Sequence, residues 1–142
     1  MIKKAVRGYS LLELSMAILI VGLLIRLALP SYRDYVQRGW RSEARVVLLS
    51  NAQFMARHYA ENFSFRASDV APSLPLPTSP DGSLNPTYQI TLTAPDNNSF
   101  TLTATPWGWT DSTCGSLTLN HLGYRSATAA VDAQAINQCW QR

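Results

Sequence analysis

An apolar run from Tyr9 to Leu29, closed by Pro30 and broken near its start by the carboxylate of Glu13, sets the terms for this chain. As a helix, its 21 residues reach about 31 Å at 1.5 Å per residue. A hydrocarbon core is about 30 Å thick. A helix apolar on all sides must be covered by lipid or by other protein. Either setting penalises an unpaired charge, so Glu13 needs a cation or must be protonated. Arg26, four residues before Pro30, can run its stem toward a headgroup layer. The remainder of the chain reads as one small soluble domain carried by this segment.

Three readings of the segment compete. A cleaved secretory signal would need small residues at a cleavage site after the run, and Ala28-Leu29-Pro30-Ser31 offers none. A plain signal anchor fits the length but leaves Glu13 without a role. The third reading cuts before the run, at Gly8. It also explains the charge. Lys3, Lys4 and Arg7 supply the formal net charge of +3, and the nine basic side chains beyond Gly8 equal the nine acidic ones. The basic balance therefore belongs to the leader and is weak evidence for nucleic-acid binding.

Beyond Pro30, which cannot donate to the preceding turn, Val36, Trp40, Ala44, Val47, Met55 and Tyr59 recur mostly at three- and four-residue spacing. That periodicity predicts an amphipathic helix to about residue 62. Arg38, Arg41 and Arg45 share another face of it. Such a row is ordinarily solvated or in contact with a neighbouring subunit, though it can also read phosphates. Residues 63–87 hold five prolines and read as an irregular connector. Alternation of Tyr88, Ile90 and Leu92, then of Phe100, Leu102 and Ala104, predicts a hairpin closed by Pro95-Asp96-Asn97-Asn98-Ser99. Asp96 is the one carboxylate of that turn, so turn chemistry accounts for it without calcium. Trp107-Gly108-Trp109 fits packing at a core rim, or an exposed adhesive patch. A third strand spans 114–120 and turns at His121-Leu122-Gly123. Cys114 and Cys139 enclose 24 residues. They can form one disulfide, worth about 3–4 kcal/mol in the chain-entropy picture, or stand as two buried thiols, and an exported chain suits the disulfide.

Catalysis and cofactors find no constellation. His58 and His121 lie in different elements with no nucleophile or second ligand at useful spacing, and no glycine-rich phosphate loop is present. The expectation is a chain that is not an enzyme and binds no cofactor or metal.

Gly8-Tyr9-Ser10-Leu11-Leu12-Glu13 ahead of the apolar run resembles the class III signal of type IV pilins and related pseudopilins. The resemblance implies cleavage after Gly8 by prepilin peptidase and N-methylation of Tyr9. Tyr9 and Ser10 stand where the family usually has Phe and Thr, and Arg26 lies in a stretch that the family keeps apolar. Glu13, fifth after the cut, is implied as the assembly residue, pairing with the methylated amine of its own chain or a neighbour. Gly22 and Pro30 fall at the family's weak points in the helix. His58-Tyr59-Ala60-Glu61-Asn62 is similar to the end of this helix in PilE-type minor pilins. Cys114-Gly115-Ser116-Leu117-Thr118-Leu119, with Gly123 and Cys139-Trp140, is similar to their disulfide-bounded D-region.

The implied architecture is α+β, the type IV pilin fold. It comprises a leader (1–8), a transmembrane and filament-core helix (9–30), an amphipathic helix (31–62), and an αβ loop, antiparallel sheet and D-region (63–142), with 31–142 as one globular domain. The implied function is a structural subunit of a type IV pilus, a minor pilin, supporting pilus biogenesis and adhesion, motility or DNA uptake. Its partners would be prepilin peptidase, other pilins in a helical filament and the inner-membrane assembly machinery. It would begin as a single-pass inner-membrane protein with a periplasmic domain and end in an extracellular pilus. Two alternatives stand beside this reading. One is a DNA-binding pilin for natural transformation, using Arg38, Arg41, Arg45 and Arg125. The other is a type II secretion pseudopilin.

Overall fold

The computed structural model describes residues 10–66 and 70–141. Helix α1 runs over Leu11–Asn62, 52 residues, through Gly22 and Pro30. Ser10 caps it, accepting the Leu12 N–H on Oγ at 3.3 Å and the Leu14 N–H on its carbonyl at 3.1 Å. At the other end Phe63 adopts a left-handed conformation (φ 52°) and donates its N–H to Tyr59 O at 2.7 Å. Glycine usually takes this position, because a Cβ is strained there. The chain divides into two compact units, Met1–Val36 and Gln37–Arg142.

In the second unit five strands form one antiparallel sheet in sequence order: β1 (Thr78–Ser79), β2 (Tyr88–Asp96), β3 (Ser99–Pro106), β4 (Leu117–Asn120) and β5 (Arg125–Ala127). Ile90 faces Ala104 and Leu92 faces Leu102 across β2–β3, and Leu102 faces Leu119 across β3–β4. The period-two pattern therefore directs one apolar row inward. That row joins Ala44, Val47, Leu48 and Met55 of α1 in a single core. The hairpin loop is tighter than expected: Asp96 pairs with Ser99, and only Asn97 and Asn98 intervene. Asp96 Oδ1 accepts the Asn98 N–H at 2.8 Å, and that bond leads the causes holding its carboxyl below the usual range.

The third strand begins at Leu117 and not at Cys114. Cys114–Ser116 is a turn in which Gly115 has φ 64°, and a Cβ there would lie 2.3 Å from Thr128 Oγ1. The same threonine oxygen accepts the Ser116 N–H at 2.9 Å, so the close approach is part of the turn. Sequence periodicity also passes over β1, β5 and a final helix, α2 (Ala133–Trp140). Asp132 caps α2, accepting the Ala135 N–H at 2.7 Å. Cys114 and Cys139 form a disulfide, which ties α2 to the turn before β4.

The connector is anchored within its length. Asn51 of α1 is fully buried; it donates Nδ2–H to Leu76 O at 2.7 Å and accepts the Leu76 N–H on Oδ1 at 3.3 Å. One side chain thus satisfies both polar groups of a buried backbone unit.

Candidate functional site

The N-terminal part of α1 has its apolar side chains in the open. Every described side chain from Ser10 to Arg26 is exposed, among them Leu11 (86%) and Leu19 (67%). Glu13 lies in the first turn, also exposed. Arg26 is exposed as well. At Gly22 an added Cβ would meet nothing within 4 Å, so its absence there leaves backbone freedom and no packing role within the chain. Pro30 lies inside α1 and lacks the N–H that the carbonyl of Arg26 would otherwise receive. Gly8 and Tyr9, where processing is expected, lie outside the described residues.

The second unit is organised by a residue that sequence reasoning passed over, Asp111. Its side chain is completely buried and takes a bidentate ion pair from Arg41, Nε to Oδ2 and Nη2 to Oδ1, each 2.7 Å. Tyr88 donates its hydroxyl to Oδ2 at 3.1 Å, and the N–H groups of Thr113 and Cys114 reach Oδ1 at 3.1 and 2.9 Å. Burial works against the Asp111 anion. The Arg41 bonds and the Cys114 and Thr113 N–H groups outweigh it and hold the carboxyl below its ordinary range. Burial pulls Arg41 down, and its pairing with Asp111 more than compensates. Tyr88 is pushed well above a normal phenol, first by burial and then by the neighbouring carboxylate. This knot joins α1, β2 and the turn entering the disulfide. Its chemistry is that of a structural clamp, with every acceptor lone pair turned to a donor of the fold.

The arginine row expected on α1 is therefore divided. Arg41 is bound to Asp111, and Arg45 is buried and donates Nη1–H to the carbonyl of Gln141. Both guanidiniums are thus held by acceptors of the fold itself. The pattern placed them on a polar face; long stems let both heads reach across to the domain's own acceptors. Arg38 is exposed. Arg125 is also exposed and lies 5.3 Å over the Trp140 ring, whose Nε1–H is fixed on Ser126 O at 3.0 Å. Asp111 did carry a local signal, since Asp before Ser-Thr-Cys favours a side-chain-capped turn. Its partner seventy residues earlier had none.

Concave surfaces lie at two places among the described residues of the second unit. One, of about 350 Å³, lies among Tyr59, Phe65, Phe100, His121 and Arg125. Within it Phe65 meets Phe100 edge to face at 4.8 Å. The other, of about 340 Å³, is lined by Trp40, Trp107, Trp109, Leu84, Asn85 and Thr87, with Pro86 and Gly108. The two tryptophans of the Trp-Gly-Trp motif part company there. Trp109 is half-buried, edge to face with Trp40 at 5.0 Å and with Tyr88 at 5.5 Å, and its Nε1–H is bound to Thr87 O at 2.8 Å. Trp107 remains 57% exposed. Gly108, at φ 76°, makes the turn that separates them. Among the described residues no group of three or more His, Cys, Asp or Glu could hold a metal ion.

A sequence model of the family described as type IV minor pilin ComP, DNA uptake sequence receptor, matches residues 30–118. The fimbrial protein EcpC of Eikenella corrodens is 34% identical over 71 residues, 50% of this chain and 46% of that protein. The type IV major pilin protein PilE of Neisseria gonorrhoeae is 47% identical over 47 residues, 33% of this chain and 27% of that one. The chain thus spans less than half the length of these relatives. Among solved structures, a type IV pilin from Shewanella oneidensis is similar at a TM-score of 0.47 and 28% identity, covering 74% of this chain and 98% of that one. The non-core minor pilin PilV of Neisseria meningitidis is similar at 0.49 and 29%, covering 70% and 93%. With well over half its length matched by the family model, across most of the long helix, the hairpin and the first cysteine, the chain belongs to the family of the type IV minor pilin ComP.

Proposed function

We propose that this chain is a minor subunit of a type IV pilus. It is cleaved after Gly8 and N-methylated at Tyr9 by prepilin peptidase, then held in the inner membrane as a single-pass protein with its domain in the periplasm. It joins the filament through its apolar helix, using the inner-membrane assembly machinery. The observation that carries this reading is the exposed apolar surface from Leu11 to Ile25. Aliphatic side chains on all sides of three or more turns need lipid or neighbouring helices. Glu13 then pairs with a terminal amine in the apolar filament core. The pair sets axial register more than it adds stability, because loss of one partner strands the other charge. The role of such a chain is structural, with no catalytic step assigned to it.

Co-expression with prepilin peptidase tests the first step. Intact-mass measurement should show loss of residues 1–8 and gain of one methyl group; an unprocessed chain overturns the reading. Glu13→Ala should be cleaved yet absent from sheared filaments.

The family match favours a second reading on the same scaffold, capture of DNA for uptake. Of the four arginines expected to serve it, Arg38 and Arg125 are exposed, while Arg41 and Arg45 are bound within the fold. Titration of the full chain with duplex DNA at several salt concentrations should give a steep salt slope. Arg38→Ala and Arg125→Ala should each reduce that slope by about one. A flat slope excludes this reading and leaves the filament role intact.

A further inference from the structure

The tryptophan cleft has features that neither filament assembly nor phosphate binding uses. None of the side chains lining it carries a charge. Trp107 is 57% exposed and Leu84 97% exposed, an unusual expenditure of large apolar surface on a small domain. The floor is rigid. Trp109 is fixed by its bond to Thr87 O and by two edge-to-face rings, and Tyr88 beneath it is bound to the Asp111 carboxylate that holds Arg41. Asn85 supplies the polar element. Its backbone N–H is used on Ser83 Oγ at 3.2 Å, while its side-chain amide makes no hydrogen bond among the described residues. A volume of about 340 Å³ is at the small end of ligand pockets, which run about 300–1,000 Å³.

These observations select among occupants. Nucleic acid needs cations beside the stacking rings, and the cleft has none. A proline-rich peptide needs an extended aromatic groove with donors to successive carbonyls, whereas this cleft, at about 340 Å³, has room for one or two rings. A neutral sugar ring meets each requirement. Its C–H face lies on an indole face, which bears partial negative charge, and adjacent hydroxyls pair with an amide that both donates and accepts. We infer that the cleft between Trp40, Trp107 and Asn85 binds one or two neutral sugar units of a glycan, with Trp107 as the stacking platform and Asn85 as the hydroxyl partner.

The test uses the full chain in lipid nanodiscs, because alkyl-glycoside detergents would compete for the site. Methyl β-galactoside, methyl β-glucoside, N-acetylglucosamine and lactose are titrated with saturation-transfer NMR as the readout. At least one should bind saturably in the millimolar range. Trp107→Ala and Asn85→Ala should each weaken that binding about tenfold or more while leaving the urea midpoint unchanged, since both side chains face solvent or the cleft. No saturable binding by any of the four sugars overturns the inference, as does binding that both variants retain. Saturation by a proline-rich peptide or a thymidine oligonucleotide in place of the sugars assigns the cleft to that partner instead. None of these outcomes bears on filament incorporation, so failure here is distinct from failure of the pilus reading.

Discussion

The two ends of α1 carry their apolar side chains to opposite fates. From Leu11 to Ile25 the aliphatic side chains are exposed, whereas Ala44, Val47, Leu48 and Met55 are buried against the chain's own sheet. Polar residues make the difference. The later stretch interleaves Asn51, Arg41 and Arg45, each bonded to a specific acceptor of the domain, and so has one apolar stripe with a defined address. The earlier stretch is apolar on every side, with Glu13 and Arg26 as its exposed charges. A helix that buries a stripe is satisfied by its own fold; one apolar all round must find its environment elsewhere.

The largest expected break in this contrast comes at Asp111. Asp111→Ala strands Arg41, and removing one partner of a buried pair costs about 3–5 kcal/mol, read as a lowered urea midpoint of the full chain in nanodiscs. Leu48→Ala should cost about 2–5 kcal/mol as a core truncation. Leu19→Ala, at the exposed end, should leave the midpoint unmoved and reduce incorporation into filaments. Equal effects of the two leucine changes on the midpoint would abolish the distinction. Acid sharpens it further. The carboxyl of Asp111 is depressed in the fold, so its stabilisation is complete above the ordinary carboxylate value of about 3.9 and disappears as pH falls through the depressed value. Unfolding followed from pH 6 downward should therefore steepen below about pH 4, and Asp111→Asn should remove that part of the slope. The smallest effect is at the helix end. Phe63→Gly relieves a left-handed backbone on a side chain that is 81% exposed, and should stabilise by about 1 kcal/mol.

Periodicity carried the long helix, the hairpin and the third strand, because each rests on a repeat visible within ten to twenty residues. The cysteines were legible as a disulfide from number and setting. Asp111 was not, since a buried acid and a turn acid look alike until Arg41 and Tyr88 arrive from distant segments. The bonds of Arg41 and Arg45 were hidden for the same reason, in that spacing gives the face where a Cα lies but not the reach of a long side chain. Strands β1 and β5 have two and three residues, too few for a repeat to register. Helix α2 did announce itself, through Asp132 ahead of Ala-Gln-Ala, but eight residues carry little weight against the coil on either side.

The grip of Asn51 on Leu76 has a consequence for how such a chain can diversify. It pins the connector near its middle at Leu76, so exposed loops on its two sides are held separately. Lengthening either loop is inexpensive, about 0.6 kcal/mol per doubling, and leaves the other untouched. Insertions and sequence drift on one exposed lobe should thus accumulate independently of the lobe that leads, through Asn85 and Thr87, into the tryptophan cleft. A single buried amide would then let one part of the surface vary while the adjoining part keeps its shape, a division that length-variant libraries on either side of residue 76 can measure.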